Sequence, residues 1–226
     1  MMLAVRNLNF GYEKDKPLFK GISFEAHEGD IIWLRGPNGC GKTTLLRIIA
    51  QLIEADCEIY YEGRKLTDGG QILSQLSYIP VEPYLFDYLT GQENANFIRA
   101  LFDIPEEQFN QEFGRMIDGF QMNHALKQFV QEYSLGMRHK LYWSSVLARK
   151  TSVILLDEPF SSFDPEAQAM ASQMLTDRAK AGALIIFISH LKDLSREIAT
   201  RTLEIQNGLL YESSKEYAKK EAENYV

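Results

Sequence analysis

The chain has 226 residues, 45% hydrophobic and 24% charged, with a formal net charge of −7. That is enough for one large globular domain, or one domain with an inserted lobe, without a metal or disulfide staple. The acidic balance argues against broad nucleic-acid binding, two cysteines are too few for a disulfide scaffold and point to a reducing compartment, and no apolar run approaches the ~20 residues needed to span a bilayer. Met1-Met2-Leu3-Ala4-Val5-Arg6-Asn7 also lacks the apolar stretch of a secretory signal, so the expectation is a soluble, cytosolic chain.

Residues 3–34 carry short alternating apolar runs, Leu3/Val5, Leu8/Phe10, Ile22/Phe24 and Ile31 to Leu34, punctuated by Gly11, Pro17, Gly21 and Gly29, which predict strands. Tyr12 follows Phe10-Gly11 in a turn, where its ring can stack on a base. The last run leads into Gly36-Pro37-Asn38-Gly39-Cys40-Gly41-Lys42-Thr43-Thr44, a complete G-x-x-x-x-G-K-[ST] loop, and Leu45-Leu46-Arg47-Ile48-Ile49 continues it as a helix. Glycines let backbone N–H groups turn inward around a polyphosphate, the Lys42 ammonium reaches the β and γ oxygens, and the Thr43 hydroxyl can ligate Mg²⁺. The helix that follows aims its positive end at the same anion. The loop therefore predicts a nucleoside triphosphate.

Three later runs, Leu76 to Ile79, Val153 to Leu156 and Ala183 to Ile188, end in polar residues and alternate with helical segments. They predict buried parallel strands with the ligand at their carboxyl ends. Between Tyr84 and Lys150 the apolar period changes to 3.6, which predicts an all-helical insertion. Thr90 and Glu93 form a capping box before Phe97, Ile98, Leu101 and Phe102; Pro105 with Glu106 and Glu107 opens a second helix bearing Phe109, Phe113, Met116, Ile117 and Phe120. Both stripes are expected in the core.

Tyr133-Ser134-Leu135-Gly136-Met137-Arg138 precedes an amphipathic helix through Leu141, Trp143 and Leu147, and a serine with exposed amides at a helix start makes an anion site. One chain then holds phosphate-binding helix termini on two lobes, which invites a dimer with each nucleotide between two chains. Val153-Ile154-Leu155-Leu156-Asp157-Glu158 delivers two carboxylates to a strand end, Asp157 suited to Mg²⁺ and Glu158 to polarising a water for attack on a γ-phosphate. Ile186-Phe187-Ile188-Ser189-His190 sets an imidazole at the end of another strand, in reach of the same phosphate. The tail from Ser213 to Val226 opens with a capping box, Ser213 to Glu216, and reads as a solvated helix.

Together these residues resemble the nucleotide-binding subunit of the ATP-binding cassette (ABC) transporter family over roughly residues 2–211. In the family's terms Tyr12 resembles the adenine-stacking aromatic, Gly36 to Thr44 Walker A, and Val153 to Glu158 Walker B. Ser134-Leu135-Gly136-Met137 is similar to the signature loop, with Ser134, Gly136 and Met137 as nucleotide contacts. Ser161-Ser162-Phe163-Asp164 resembles the D-loop and His190 the switch histidine. The resemblance implies an α/β fold: a P-loop NTPase doubly wound core with an N-terminal antiparallel β-lobe and an inserted α-helical subdomain. It divides the chain into a cassette at 1–211, with the helical subdomain at about 84–150, and a C-terminal helical tail at 212–226. It further implies ATP and Mg²⁺ as cofactors, catalysis by Glu158, His190 and Lys42, metal binding by Thr43 and Asp157, and a homodimer, or a heterodimer with a related cassette. The partner implied is an integral membrane permease on whose inner face the subunit sits, an exporter by the Leu135 and Met137 variant of the signature, with no nucleic acid. A soluble, non-transport ABC ATPase is the alternative. The family's glutamine after Tyr78-Ile79-Pro80 is replaced by Val81, which cannot ligate Mg²⁺ or hold the attacking water, so a cassette of weak hydrolysis is a further reading.

Overall fold

In a computed structural model of the protein, which describes residues 1–67 and 72–213, the apolar runs of the sequence become the central strands of a six-stranded sheet. In chain order the elements are β1 (Leu3–Phe10), β2 (Phe19–Ala26), β3 (Ile31–Arg35), α1 (Lys42–Ile49), β4 (Asp56–Tyr61), β5 (Arg64–Lys65), β6 (Leu76–Ile79), α2 (Gly91–Leu101), α3 (Glu106–Gly119), α4 (Leu135–Leu147), β7 (Val153–Asp157), α5 (Pro165–Lys180), β8 (Leu184–Ile188), α6 (Lys192–Ile198), β9 (Arg201–Gln206) and β10 (Leu209–Ser213). The large sheet runs β10-β9-β3-β8-β7-β6, parallel throughout except for the antiparallel β9–β10 pair. A second, antiparallel sheet of order β2-β1-β4-β5 forms the N-terminal lobe. The expected α/β class, with its antiparallel lobe, is the one observed.

Strand alternation decides where the cores lie. Ile31 and Trp33 of β3, Ile154 and Leu156 of β7, and Ile185 and Phe187 of β8 face one cluster, shared with α3, α4 and α5. Their neighbours Ile32, Leu34, Val153, Leu155, Leu184, Ile186 and Ile188 face the other, closed by α1 and by Leu3, Val5 and Leu8 of β1. A strand buried on both faces must be apolar at every position, which is why these runs read as continuous.

Register sets the functional edge. Trp33 pairs with Phe187, and Asp157 with Ile188, so β3, β7 and β8 end side by side. The segments that leave those ends, Gly36 to Thr44, Glu158 and Ser189-His190, therefore meet at one rim of the sheet, where ligands of open α/β sheets bind.

The second helical stripe is core as expected: Phe109, Phe113, Met116, Ile117 and Phe120 are all buried. The first is not. Of Phe97, Ile98, Leu101 and Phe102 only Ile98 is buried, and α2 turns Gly91, Asn94 and Ala95 inward instead. The cause is polar: the Asn94 amide donates to the Phe86 and Thr90 carbonyls at 3.0 Å each and accepts from the Phe86 N–H at 2.8 Å, tying the helix to the preceding turn and rotating the phenylalanines outward. Glu112 of α3, buried, meets Lys150 at 2.8 Å and Arg178 of α5 at 3.3 Å, which fastens the helices to the core. Burial alone would raise its pKa, but Lys150, Arg178 and Arg115 outweigh that and hold it below the ordinary glutamate value.

Glu212 and Ser213 belong to β10, and the remainder of the tail expected as a helix lies outside the described residues. No helix among the described residues is long and apolar enough to cross a membrane.

Candidate functional site

The phosphate loop links β3 to α1. Gly41, with φ of 102°, stands at the helix start, and a Cβ there would come 2.7 Å from the Phe19 ring, so only glycine fits the turn. Lys42 Nζ donates to the carbonyls of Gly36 at 2.9 Å and Pro37 at 3.1 Å, which holds the ammonium over the loop. Asn38, Gly39 and Cys40 complete the turn, and Thr43 and Thr44 enter α1. Tyr12, 68% exposed, stands against the same helix, its hydroxyl 3.0 Å from Thr44 Oγ1 and its ring edge-on to Phe10 at 5.0 Å. The exposed ring leaves a face for a flat apolar group beside the loop.

Asp157 and Glu158 follow from β7. Asp157 is buried, accepts a hydrogen bond from the Thr43 hydroxyl, and leaves Oδ2 without a partner. Burial pushes its pKa up, opposed by Thr43, Arg47 and Lys42. A buried, unpartnered carboxylate oxygen beside a hydroxyl is a pair of hard donors, and Mg²⁺ takes one or two protein oxygens with phosphate and water completing its shell. The residues present fit that ion. Glu158 is in the left-handed region at φ 50°, a conformation that costs a non-glycine residue about 1 kcal/mol or more and turns its side chain back over the rim. Its carboxylate accepts from the His190 backbone N–H at 3.2 Å and lies 3.3 Å from His190 Nε2. Burial raises the Glu158 pKa, with His190 pulling the other way, which suits a carboxylate that takes up a proton.

The rim thus gathers Lys42, Thr43, Asp157, Glu158 and His190. The helix start at Ser134 is held by contacts of its own. Ser134 Oγ caps α4 by accepting from Met137 N at 3.2 Å, Gly136 backs onto the Ser162 carbonyl, and Met137 packs on the helical core. The start of α4 contacts the turn at 160–164.

Sequence reasoning passed over three basic residues. Arg35, Lys192 and Arg196 line, with Lys42 and His190, a cleft of about 410 Å³ beside the loop, in which Glu204 pairs with Arg35 at 3.0 Å. No motif marks them; their scatter over β3 and α6 becomes a cluster only through sheet register. It also passed over His139, whose partners are distant in sequence.

Cys40 and Cys57 are both free thiols. Burial, with Asp56 nearby, pushes the Cys57 thiol pKa up and depletes its thiolate. Cys40 lies in the phosphate loop at a helix start, so iodoacetamide should label it at least about threefold faster than Cys57, and ATP should slow that labelling. Peptide mapping checks this; Cys57 labelled first, or no protection by ATP, contradicts the loop's assignment.

Residues 19–161 match the sequence profile of the family described as ABC transporter. An uncharacterized ABC transporter ATP-binding protein of Nostoc sp. is 31% identical over 84% of this chain and 58% of its own length. The ABC-type transporter ATP-binding protein EcsA of Bacillus subtilis is 26% identical over 92% of this chain and 84% of its own, and the choline transport ATP-binding protein OpuBA of the same organism 26% identical over 92% and 56%. The chain therefore spans little more than half of some relatives. A solved ATP-binding subunit of an ABC transporter superposes with a TM-score of 0.89 at 22% identity, covering 99% of this chain and 94% of that one, which is a likeness of fold.

Proposed function

The chain belongs to the ABC transporter family as an ATP-binding domain, a class of domain that acts as an ATPase, and from that premise we propose that two copies close around two Mg-ATP molecules, hydrolyse them, and so drive a separate membrane permease. The observation that carries the reading is the convergence of Lys42, Asp157, Glu158 and His190 at the ends of three adjacent strands. In this reading Gly36 to Thr44 cradle the phosphates by backbone N–H groups and the Lys42 charge, and Tyr12 stacks on the adenine. Thr43 and Asp157 would hold Mg²⁺, which would neutralise charge on the phosphates. Glu158 takes the proton of the attacking water, and the His190 backbone N–H, bonded to that carboxylate, orients it. Ser134, Gly136 and Met137 face the nucleotide of the opposite copy, a reading supported by their place on the helical lobe while Gly36 to Thr44 stand on the sheet core.

The proposed cassette covers residues 1–211, with 84–150 as the lobe that meets the permease. Exposed rings support that surface: Tyr84, Phe86, Tyr88 and Phe97 all stand out from the lobe. Export is the direction read from Leu135 and Met137, and transport in vesicles holding the permease tests it. The subunit then lies on the inner membrane face through that partner. Phosphate release from Mg-ATP by the purified chain tests the enzymatic core, and no release above background, with or without the permease, contradicts it.

Val81 bears on the rate. Its side chain is 44% exposed and offers no oxygen, so Val81→Gln, which restores an amide to metal and water, should raise basal turnover severalfold. Steady-state turnover across a Mg²⁺ titration measures this; identical rates and metal dependence would place the side chain at position 81 away from the metal.

A further inference from the structure

His139, one turn into α4, is 3% exposed, and each ring nitrogen meets a different segment. Nε2 lies 2.7 Å from the Val81 carbonyl oxygen and Nδ1 is hydrogen-bonded to Ser162 Oγ. A carbonyl only accepts, so Nε2 carries the proton and Nδ1 of the neutral ring accepts from the Ser162 hydroxyl. Burial favours this neutral form by pushing the imidazole pKa down, against a smaller pull from Val81. The ring is also set edge-on to Phe163 at 6.5 Å.

Two further contacts join the same segments. A Cβ on Gly136 would come 2.7 Å from the Ser162 carbonyl, so the start of α4 lies directly on that turn. Lys140 Nζ is 2.7 Å from Asp164 Oδ2, while Asp164 Oδ1 caps α5 at Ala167 N. The turn is in turn anchored on Glu158, whose carbonyl accepts from Ser161 Oγ at 3.0 Å.

We propose that His139 is a positioning residue for ATP hydrolysis: through the Val81 carbonyl and the Ser162 hydroxyl it holds the loop at 134–137 and the turn from Glu158 to Asp164 in one register. It supplies by a backbone contact at position 81 a link between lobes that the valine side chain does not provide. This rests on the reading of the chain as a cassette that hydrolyses ATP. A leucine in its place fills the volume but leaves the Val81 carbonyl and Ser162 hydroxyl without that partner.

The test compares the full wild-type chain with His139→Leu, His139→Gln and His139→Asn for kcat, KM, ATP affinity by calorimetry and thermal midpoint. Glutamine carries an N–H donor as far as Nε2 does, whereas asparagine reaches only to the place of Nδ1. The leucine and asparagine variants should lose at least about tenfold in kcat with ATP affinity within about twofold of wild type, and glutamine should recover to within about threefold, because only the positioning of the base loop is disturbed. Equal rates for glutamine and asparagine, a leucine variant within about twofold of wild type, or a loss of affinity in step with a lowered midpoint would overturn the role. If the leucine variant does not fold, the glutamine and asparagine pair decides. Wild type without turnover overturns the hydrolytic reading as well; active wild type with unaffected variants overturns the role of His139 alone.

Discussion

Glu158→Gln should lower steady-state ATP hydrolysis by about 10²–10⁴-fold, the range that a positioned general base contributes, while ATP still binds. The amide keeps the shape of the carboxylate and can still accept from the His190 backbone N–H, now at 3.2 Å, so the loop need not move. What it lacks is a basic oxygen to take a proton from water. The raised pKa of the native group, caused mainly by burial, marks a carboxylate whose charged form is held back from solvent and is correspondingly ready to accept a proton. Phosphate release together with equilibrium nucleotide binding checks this. A variant with near-normal turnover would move the base to another residue.

Lys42→Ala acts on the other half of the reaction. The ammonium is held over the loop by the Gly36 and Pro37 carbonyls, and removing it deletes a charged donor aimed at a polyphosphate. Hydrogen bonds to charged groups contribute about 1.5–3 kcal/mol, so Kd for ATP should rise roughly ten- to hundredfold and turnover should fall with it. Calorimetry measures the first, and wild-type affinity would show that the phosphates bind elsewhere. The two variants separate binding from chemistry: one loses affinity, the other keeps it.

The phosphate loop was legible because everything it needs is local: glycines, lysine and threonine at fixed spacing between a strand and a helix. The ends of β7 and β8 were legible for a related reason, since an apolar run broken by Asp157-Glu158 or by Ser189-His190 announces where a buried strand reaches solvent. Strand β4 is hard to read in the sequence, because in Asp-Cys-Glu-Ile-Tyr-Tyr only Ile59 is buried and the period is faint. Strand β9 carries only a short signal, Leu203 and Ile205 alternating inward between partly exposed neighbours. The outward turn of α2 was beyond periodicity, since Phe97, Leu101 and Phe102 have helical spacing whichever way the helix is rotated, and Asn94 sets the rotation by bonds to Phe86 and Thr90. His139 was illegible for a stronger reason. Its partners stand 58 and 23 residues away, and nothing in the sequence near 139 names either.

The two-chain site, with Ser134 of one copy facing the phosphate loop of the other, is the central claim. Light scattering on Glu158→Gln after gel filtration, with Mg-ATP, with Mg-ADP and without nucleotide, tests it most directly. The account predicts a single-chain mass without nucleotide and with Mg-ADP, and twice that mass with Mg-ATP. A single-chain mass in Mg-ATP, at protein concentrations where calorimetry shows the nucleotide bound, would contradict it.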